Sequence, residues 1–247
     1  MNDFYVGYLP KAPQDLARFV RRAVVGLFLL GVAIAGLLVF GQGRFLPAWF
    51  EWKQVRTFEG TIEEQPYPAL LIRRPGITGP GDEYSRYLLV AVGKHGAGPE
   101  LLGLDGRTVQ LKGKLIYRPE MTVIEIMPNS VQTISEKSTK TELSGGERVT
   151  LHGEIADSKC YAGVMNPSTG KVHRDCAVRC LSGGIPPVLL TNDDGTTKIF
   201  WLAGADGKAL EKAAFLDKVA EPVSVSGRIY RRGDEMIVAV DDISRLR

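Results

Sequence analysis

Three cysteines and one histidine gather in the second half of the chain. The segment opens Asp157-Ser158-Lys159-Cys160. After a Pro-Ser-Thr-Gly turn it continues His173-Arg174-Asp175-Cys176-Ala177-Val178-Arg179-Cys180 and reaches Gly183-Gly184. In ligand terms this is Cys-x12-His-x2-Cys-x3-Cys. Three thiolates and an imidazole can close a tetrahedral structural zinc site. The sulfurs, with the Met165 thioether as an additional donor, also suit Cu(I). If residues 173–180 form a helical turn, His173, Cys176 and Cys180 stand at i, i+3 and i+7, on one face. Gly183-Gly184 would end that helix, and Cys160 would approach from the loop before it.

The same residues admit other chemistry. A disulfide from Cys160 to Cys176 or Cys180 would staple loop to helix and leave one thiol over. A Cys176–Cys180 bridge is disfavoured, because successive helical turns aim their Cβ atoms poorly. A redox-active dithiol is the third reading. The chain has no Cys-x-x-Cys and no Cys-x-x-Cys-His, so thioredoxin-like chemistry and covalent haem attachment find no motif. No Gly-x-Ser-x-Gly, P-loop, dinucleotide fingerprint or His-Glu-x-x-His is present either, so no catalytic residue is assigned. His95, in Gly93-Lys94-His95-Gly96, reads as a surface histidine in a turn, and His152 as a strand-edge histidine.

The pattern Asp-Ser-x-Cys, His-x-x-Cys-x-x-x-Cys, Gly-Gly and a short apolar strand resembles a signature of small bacterial exported or membrane-anchored proteins without an assigned activity. The resemblance spans residues 153–190 and rests on Asp157, Ser158, Cys160, His173, Cys176, Cys180, Gly183 and Gly184. It implies an extracytoplasmic β-rich domain and supplies no activity.

The elements that must position these residues are mostly strands. Runs such as Tyr87 to Val92 and Met121 to Ile126 are β-branched and apolar, and turn formers such as Asp105-Gly106 and Asp206-Gly207 bound other segments. One helix is expected at Lys208 to Lys218, with Leu210, Ala213, Ala214 and Leu216 as its apolar side. An internal repeat organises the strands. Thr57-Phe58-Glu59-Gly60-Thr61-Ile62 matches Thr150-Leu151-His152-Gly153-Glu154-Ile155. Gly113-Lys114-Leu115-Ile116-Tyr117-Arg118 matches Gly227-Arg228-Ile229-Tyr230-Arg231-Arg232. Glycine inside a strand marks a bend or bulge that lets a small sheet curl toward closure. Two tandem OB-like barrels of about five strands are therefore expected, in a mainly β protein. The expected bounds are 42–135 for the first domain, 136–147 for the linker and 148–247 for the second domain. The second copy holds the extra length and all three cysteines; the first has a loop of its own from Pro66 to Gly81.

Before the barrels, Ala23 to Gly41 reads AVVGLFLLGVAIAGLLVFG, without a charge. A hydrocarbon core about 30 Å thick needs about 20 apolar residues of helix, so residues 23–41 are read as a retained transmembrane anchor. Lys11, Arg18, Arg21 and Arg22 precede it. The positive-inside rule places residues 1–22 in the cytoplasm and the domains outside, in the periplasm or extracellular space. Trp49, Phe50 and Trp52 are read either as interfacial aromatics or as the first packing contacts of the folded domain. A net charge of +3 over 247 residues argues against nucleic acid as a partner, whose binders carry a dominant basic patch. Membrane lipid and membrane proteins are the expected partners. The functional expectation is a single-pass, extracytoplasmic binding or assembly protein, such as an accessory subunit of a membrane redox or transport complex. The alternative is a zinc or copper carrier or sensor built on Cys160, His173, Cys176 and Cys180. An enzyme is the least expected class.

Overall fold

The computed structural model describes residues 11–42, 47–76, 84–135, 146–193, 195–232 and 235–246. Most of the expected linker, 136–145, lies outside the described residues. The chain divides into an N-terminal unit ending at Leu46 and a compact unit from Pro47 to Arg247.

Helix α1, Gln14–Gln42, is 29 residues long. At about 1.5 Å per residue it exceeds the thickness of a bilayer core. It begins nine residues before the expected span, so Arg18, Arg21 and Arg22 lie on it, and Arg18 pairs with Asp15 at 2.7 Å. The helix is long and apolar enough to cross a membrane.

The second unit is mainly β. Strands β1 (Trp49–Phe50), β2 (Arg56–Glu63), β3 (Ala69–Arg73), β4 (Tyr84–Val90), β5 (Thr108–Arg118), β6 (Met121–Ile126) and β7 (Gln132–Ser135) make the first sheet. Within it β2, β3, β4, β6 and β5 pair in a closed circuit, with β4 and β6 parallel. Strands β8 (Glu147–Asp157), β9 (Pro187–Asp193), β10 (Thr196–Gly204), β11 (Pro222–Arg232) and β12 (Glu235–Arg245) close the second barrel by the same circuit, with β10 and β12 parallel. Two five-stranded, OB-like barrels are thus present, and a short helix, α2 (Gly98–Leu101), lies between β4 and β5.

The repeated glycines fall at equivalent corners. Before Gly60 strand β2 pairs with β5, and from Thr61 it pairs with β3. Gly153 stands at the same point of β8, between its pairings with β11 and β9. A Cβ at Gly60 would lie 2.5 Å from the Leu71 carbonyl oxygen, and one at Gly153 2.2 Å from that of Leu190. Only a residue without a side chain fits where the strand turns that closely past its neighbour.

The continuous apolar runs have a structural cause. Side chains alternate across a strand, and here both faces are buried. Leu89, Ile124 and Ile126 fill the first barrel, and Leu189, Phe200, Leu202, Val238 and Val240 fill the second. The alternate residues Leu88, Val90, Ile116, Val123, Val188, Trp201 and Ile237 form one core between the barrels. Polar ties cross the same seam. Tyr67 Oη donates to the Leu202 carbonyl at 2.8 Å and accepts from Leu210 N at 3.0 Å; burial pushes its phenol pKa up. Arg86 pairs with Glu63 at 2.6 Å and with Glu235 of the second barrel.

Three sequence expectations are corrected or resolved. The stretch 66–81, read as a loop, contains β3; the run Ala69-Leu70-Leu71-Ile72-Arg73 is short, but it is bracketed by two strands that need a partner. Residues 208–218 do not form one helix. They make two 3-10 turns, Lys212–Ala214 and Leu216–Lys218, with Phe215 at φ −138° between them. That break lets Phe215 and Val219 enter the core of the second barrel. Trp49 and Phe50 are packing contacts: they pair with β5, and the Trp49 ring stacks on Tyr117 at 5.4 Å.

Candidate metal site

The site grows from the end of β8. Asp157, fully buried, closes the strand and organises the 29 residues, 158–186, that separate it from β9. Its Oδ1 accepts from the Cys160 backbone N–H at 2.8 Å, and its Oδ2 lies 3.0 Å from His173 Nε2. Cys160 begins a π-helical turn, Cys160–Val164. The chain returns through Gly170, at φ +73°, whose N–H donates to Glu154 Oε1 at 2.6 Å. A 3-10 turn, Lys171–His173, then leads into α3, Arg174–Ser182. Helix α3 carries Cys176 and Cys180 one turn apart and ends at Gly183, whose N–H donates to the Arg179 carbonyl at 3.0 Å. The expected helix and its glycine stop are both present.

Cys160, Cys176 and Cys180 converge, with their sulfurs all within 4.8 Å of one another. The Cys160 and Cys180 sulfurs are 3.9 Å apart. Two sulfurs bound tetrahedrally to one zinc at about 2.3 Å stand about 3.8 Å apart, so the spacing suits a shared metal ion. All three cysteines are free thiols, and the Cys160–Cys180 pair, one of the expected disulfides, is unbonded. Cys160 and Cys180 are buried, and Cys176 is half-buried at the mouth of the cluster.

His173 stands apart from the three-sulfur group. It belongs to a neighbouring group with Asp157 and Cys160, and its Nε2 is engaged by the Asp157 carboxylate. The two groups share Cys160. His173 thus lies beside the sulfur cluster, within 4.8 Å of Cys160, and its contact with Asp157 through Nε2 leaves the other ring nitrogen for a metal ion. Met165 lies 46 % exposed, at the end of the π-helical turn.

Sequence reasoning missed what the first barrel contributes. Lys94, from the turn after β4, puts its Nζ 2.8 Å from Cys176 Sγ and 3.6 Å from Cys180 Sγ. The neighbouring sulfurs push the Lys94 pKa up, the hydrogen bond with Cys176 most of all. The turn is held from below by Lys159, which is buried. Its Nζ donates to the Ala91 and Gly93 carbonyls, each at 2.7 Å, and pairs with Glu125 at 2.6 Å. From the side, Gly96 N–H donates to the Gly183 carbonyl at 3.0 Å. A Cβ on Gly183 would lie 1.8 Å from the Lys94 carbonyl oxygen, and one on Gly96 2.1 Å from that of Gly184. Gly183-Gly184 therefore does more than stop a helix: it lets the other barrel's backbone close over α3. The only sequence signal was the Gly-Lys-His-Gly stretch, where the lysine matters and His95 is exposed.

The thiols share charge unequally. Cys180 is held down at about 7, first by its hydrogen bond with Cys160 and also by Lys94. Cys160 is pushed up by the same bond, then by burial and by Asp157. Cys180 therefore gives up its proton more readily than Cys160, and a metal ion bound between them would displace the protons they hold to solvent.

No family model matches the chain, and no curated protein matches it. Among solved structures the chain is similar to a deletion mutant of the single-stranded DNA binding protein from Thermus aquaticus. The identity is 12 %, 81 % of this chain and 95 % of that chain are covered, and the TM-score is 0.23. That neighbour is a nucleic-acid binder, so the exclusion of nucleic acid drawn from net charge is withdrawn. A likeness at that TM-score assigns no ligand to this chain.

Proposed function

We propose that this chain is a membrane-anchored, extracytoplasmic binding protein whose ligand is a thiophilic metal ion, zinc or copper, held by Cys160, Cys176 and Cys180. The observation that carries the reading is the convergence of three free thiols, from a π-helical turn and from α3, to within 4.8 Å. Two of them are buried, where an unliganded thiolate is costly to keep. The half-buried Cys176 leaves an entry path. Helix α1 supports the anchor, and Arg18, Arg21 and Arg22 on its N-terminal half support a cytoplasmic N-terminus. The broader expectation of an accessory role in a membrane redox or transport complex narrows here to a protein with a defined ligand. The test is anaerobic titration of the reduced, detergent-solubilised full chain. One ion per chain, lost when the three cysteines are replaced by serine, supports the reading. Less than about one ion in five chains overturns it.

A further inference from the structure

We propose that the site is a three-coordinate Cu(I) site, from which Lys94 turns zinc away. The inference rests on the metal-binding reading and adds the identity of the ion. Three observations carry it. Among the described residues the converging group is three cysteine sulfurs, with no histidine nitrogen or carboxylate oxygen within 4.8 Å of all three. The imidazole of His173 comes within 4.8 Å of Cys160 but not of all three sulfurs, and its Nε2 lies 3.0 Å from the Asp157 carboxylate. At the mouth, beside the half-buried Cys176, stands an ammonium, 2.8 Å from one sulfur and 3.6 Å from another. An ammonium has no lone pair to give a metal.

Zinc sites complete a tetrahedron with a fourth protein ligand or with water. Cu(I) is satisfied by soft sulfur donors. At a given distance an ammonium also repels a dication twice as strongly as a monocation. Lys94 is held where it can act so: Lys159 fixes the carbonyls of Ala91 and Gly93, and Gly96 is bonded to Gly183. The lysine retains its hydrogen bond to Cys176 when three thiolates hold Cu(I), and there it offsets part of their negative charge. It is a specificity residue, acting on the place a fourth ligand would take.

The experiment compares the reduced full chain with Lys94→Gln, using Cu(I) delivered from a chromophoric Cu(I) chelator, Zn(II), and Co(II) as a spectroscopic substitute for zinc. The expected result for the natural chain is one Cu(I), zinc binding weaker than about 1 μM in Kd, and no tetrahedral Co(II) absorption. In Lys94→Gln, zinc binding tightens by about tenfold or more, tetrahedral Co(II) bands appear, and Cu(I) affinity does not rise with them. A lysine with a merely structural role would leave zinc and Co(II) unchanged between the two proteins, and that result overturns its assignment. Submicromolar zinc with tetrahedral Co(II) bands in the natural chain overturns the inference and leaves metal binding standing. Binding of neither Cu(I) nor zinc overturns both.

Discussion

The two barrels run the same strand circuit and differ most in one connection. Between its first and second strands the first barrel uses five residues, 64–68; the second uses 29, 158–186. Between third and fourth strands both use 17, residues 91–107 and 205–221. The first barrel spends extra length only between β3 and β4, where ten residues replace two. One copy thus kept a short link and the other grew a π-helical turn, a 3-10 turn and α3, which carry every cysteine. Yet the grown loop is not self-sufficient. Its lysine lid and the acceptors for buried Lys159 come from the plain copy. A duplicated barrel can serve as the wall of its twin's site, and that is the lesson of the difference.

The largest test of this dependence is Lys159→Met. It leaves Glu125 buried beneath the seam without its cation and the Ala91 and Gly93 carbonyls without a donor. Removing one partner of a buried pair costs about 3–5 kcal/mol, read as a lower denaturant midpoint for the detergent-solubilised chain. Adding Glu125→Leu restores part of it. Full stability in the single variant would show that the loop stands without the first barrel.

Next come the equivalent corners. Gly60→Ala and Gly153→Ala each drive a Cβ into a backbone carbonyl, at 2.5 and 2.2 Å. Each is expected to cost about 2–3 kcal/mol, and alike. A large cost at one site with none at the other would dissolve the structural likeness of the repeats.

Smaller is the pH dependence, which centres on Cys180 of the second barrel. Folded Cys180 loses its proton at about 7, against an ordinary 9.0. Between those values the unfolded chain holds more protons, so the stability of the reduced, metal-free protein rises from pH 7 to pH 9. It is lost as pH falls through 7. Chemical denaturation across that range, repeated on Cys180→Ser, should show the rise in the natural chain and a flat profile in the variant.

The smallest effect is at Ser158. Its Oγ is buried without a hydrogen-bond partner, so Ser158→Ala removes a desolvated group and loses no bond. A change within about 1 kcal/mol, of either sign, is expected in the same unfolding assay. A loss of several times that would reveal a partner for the hydroxyl.

Much of this was legible in the sequence, for identifiable reasons. The strand glycines betrayed the repeat because backbone approach at a corner admits nothing else, and corners recur with the fold. The Cys176–Cys180 spacing and Gly183-Gly184 announced α3 because helix period and helix stop are local properties. Lys94 was not legible, since it reaches Cys176 across 82 positions of sequence and across the seam between barrels. His173 does come within 4.8 Å of Cys160, as the spacing suggested, though its tie to Asp157, sixteen residues earlier, was not visible in the pattern. Residues 208–218 had helical periodicity, yet burial of Phe215 decided the local structure. In each failure a long-range contact overruled a local pattern.

The most direct measurement is X-ray absorption at the edge of the metal bound to the full-length, reduced protein. Three sulfur neighbours at about 2.2–2.3 Å and no imidazole nitrogen are predicted, and replacing any one cysteine by serine should remove a sulfur. A shell of oxygen and nitrogen, or a sulfur shell indifferent to those replacements, would contradict the account.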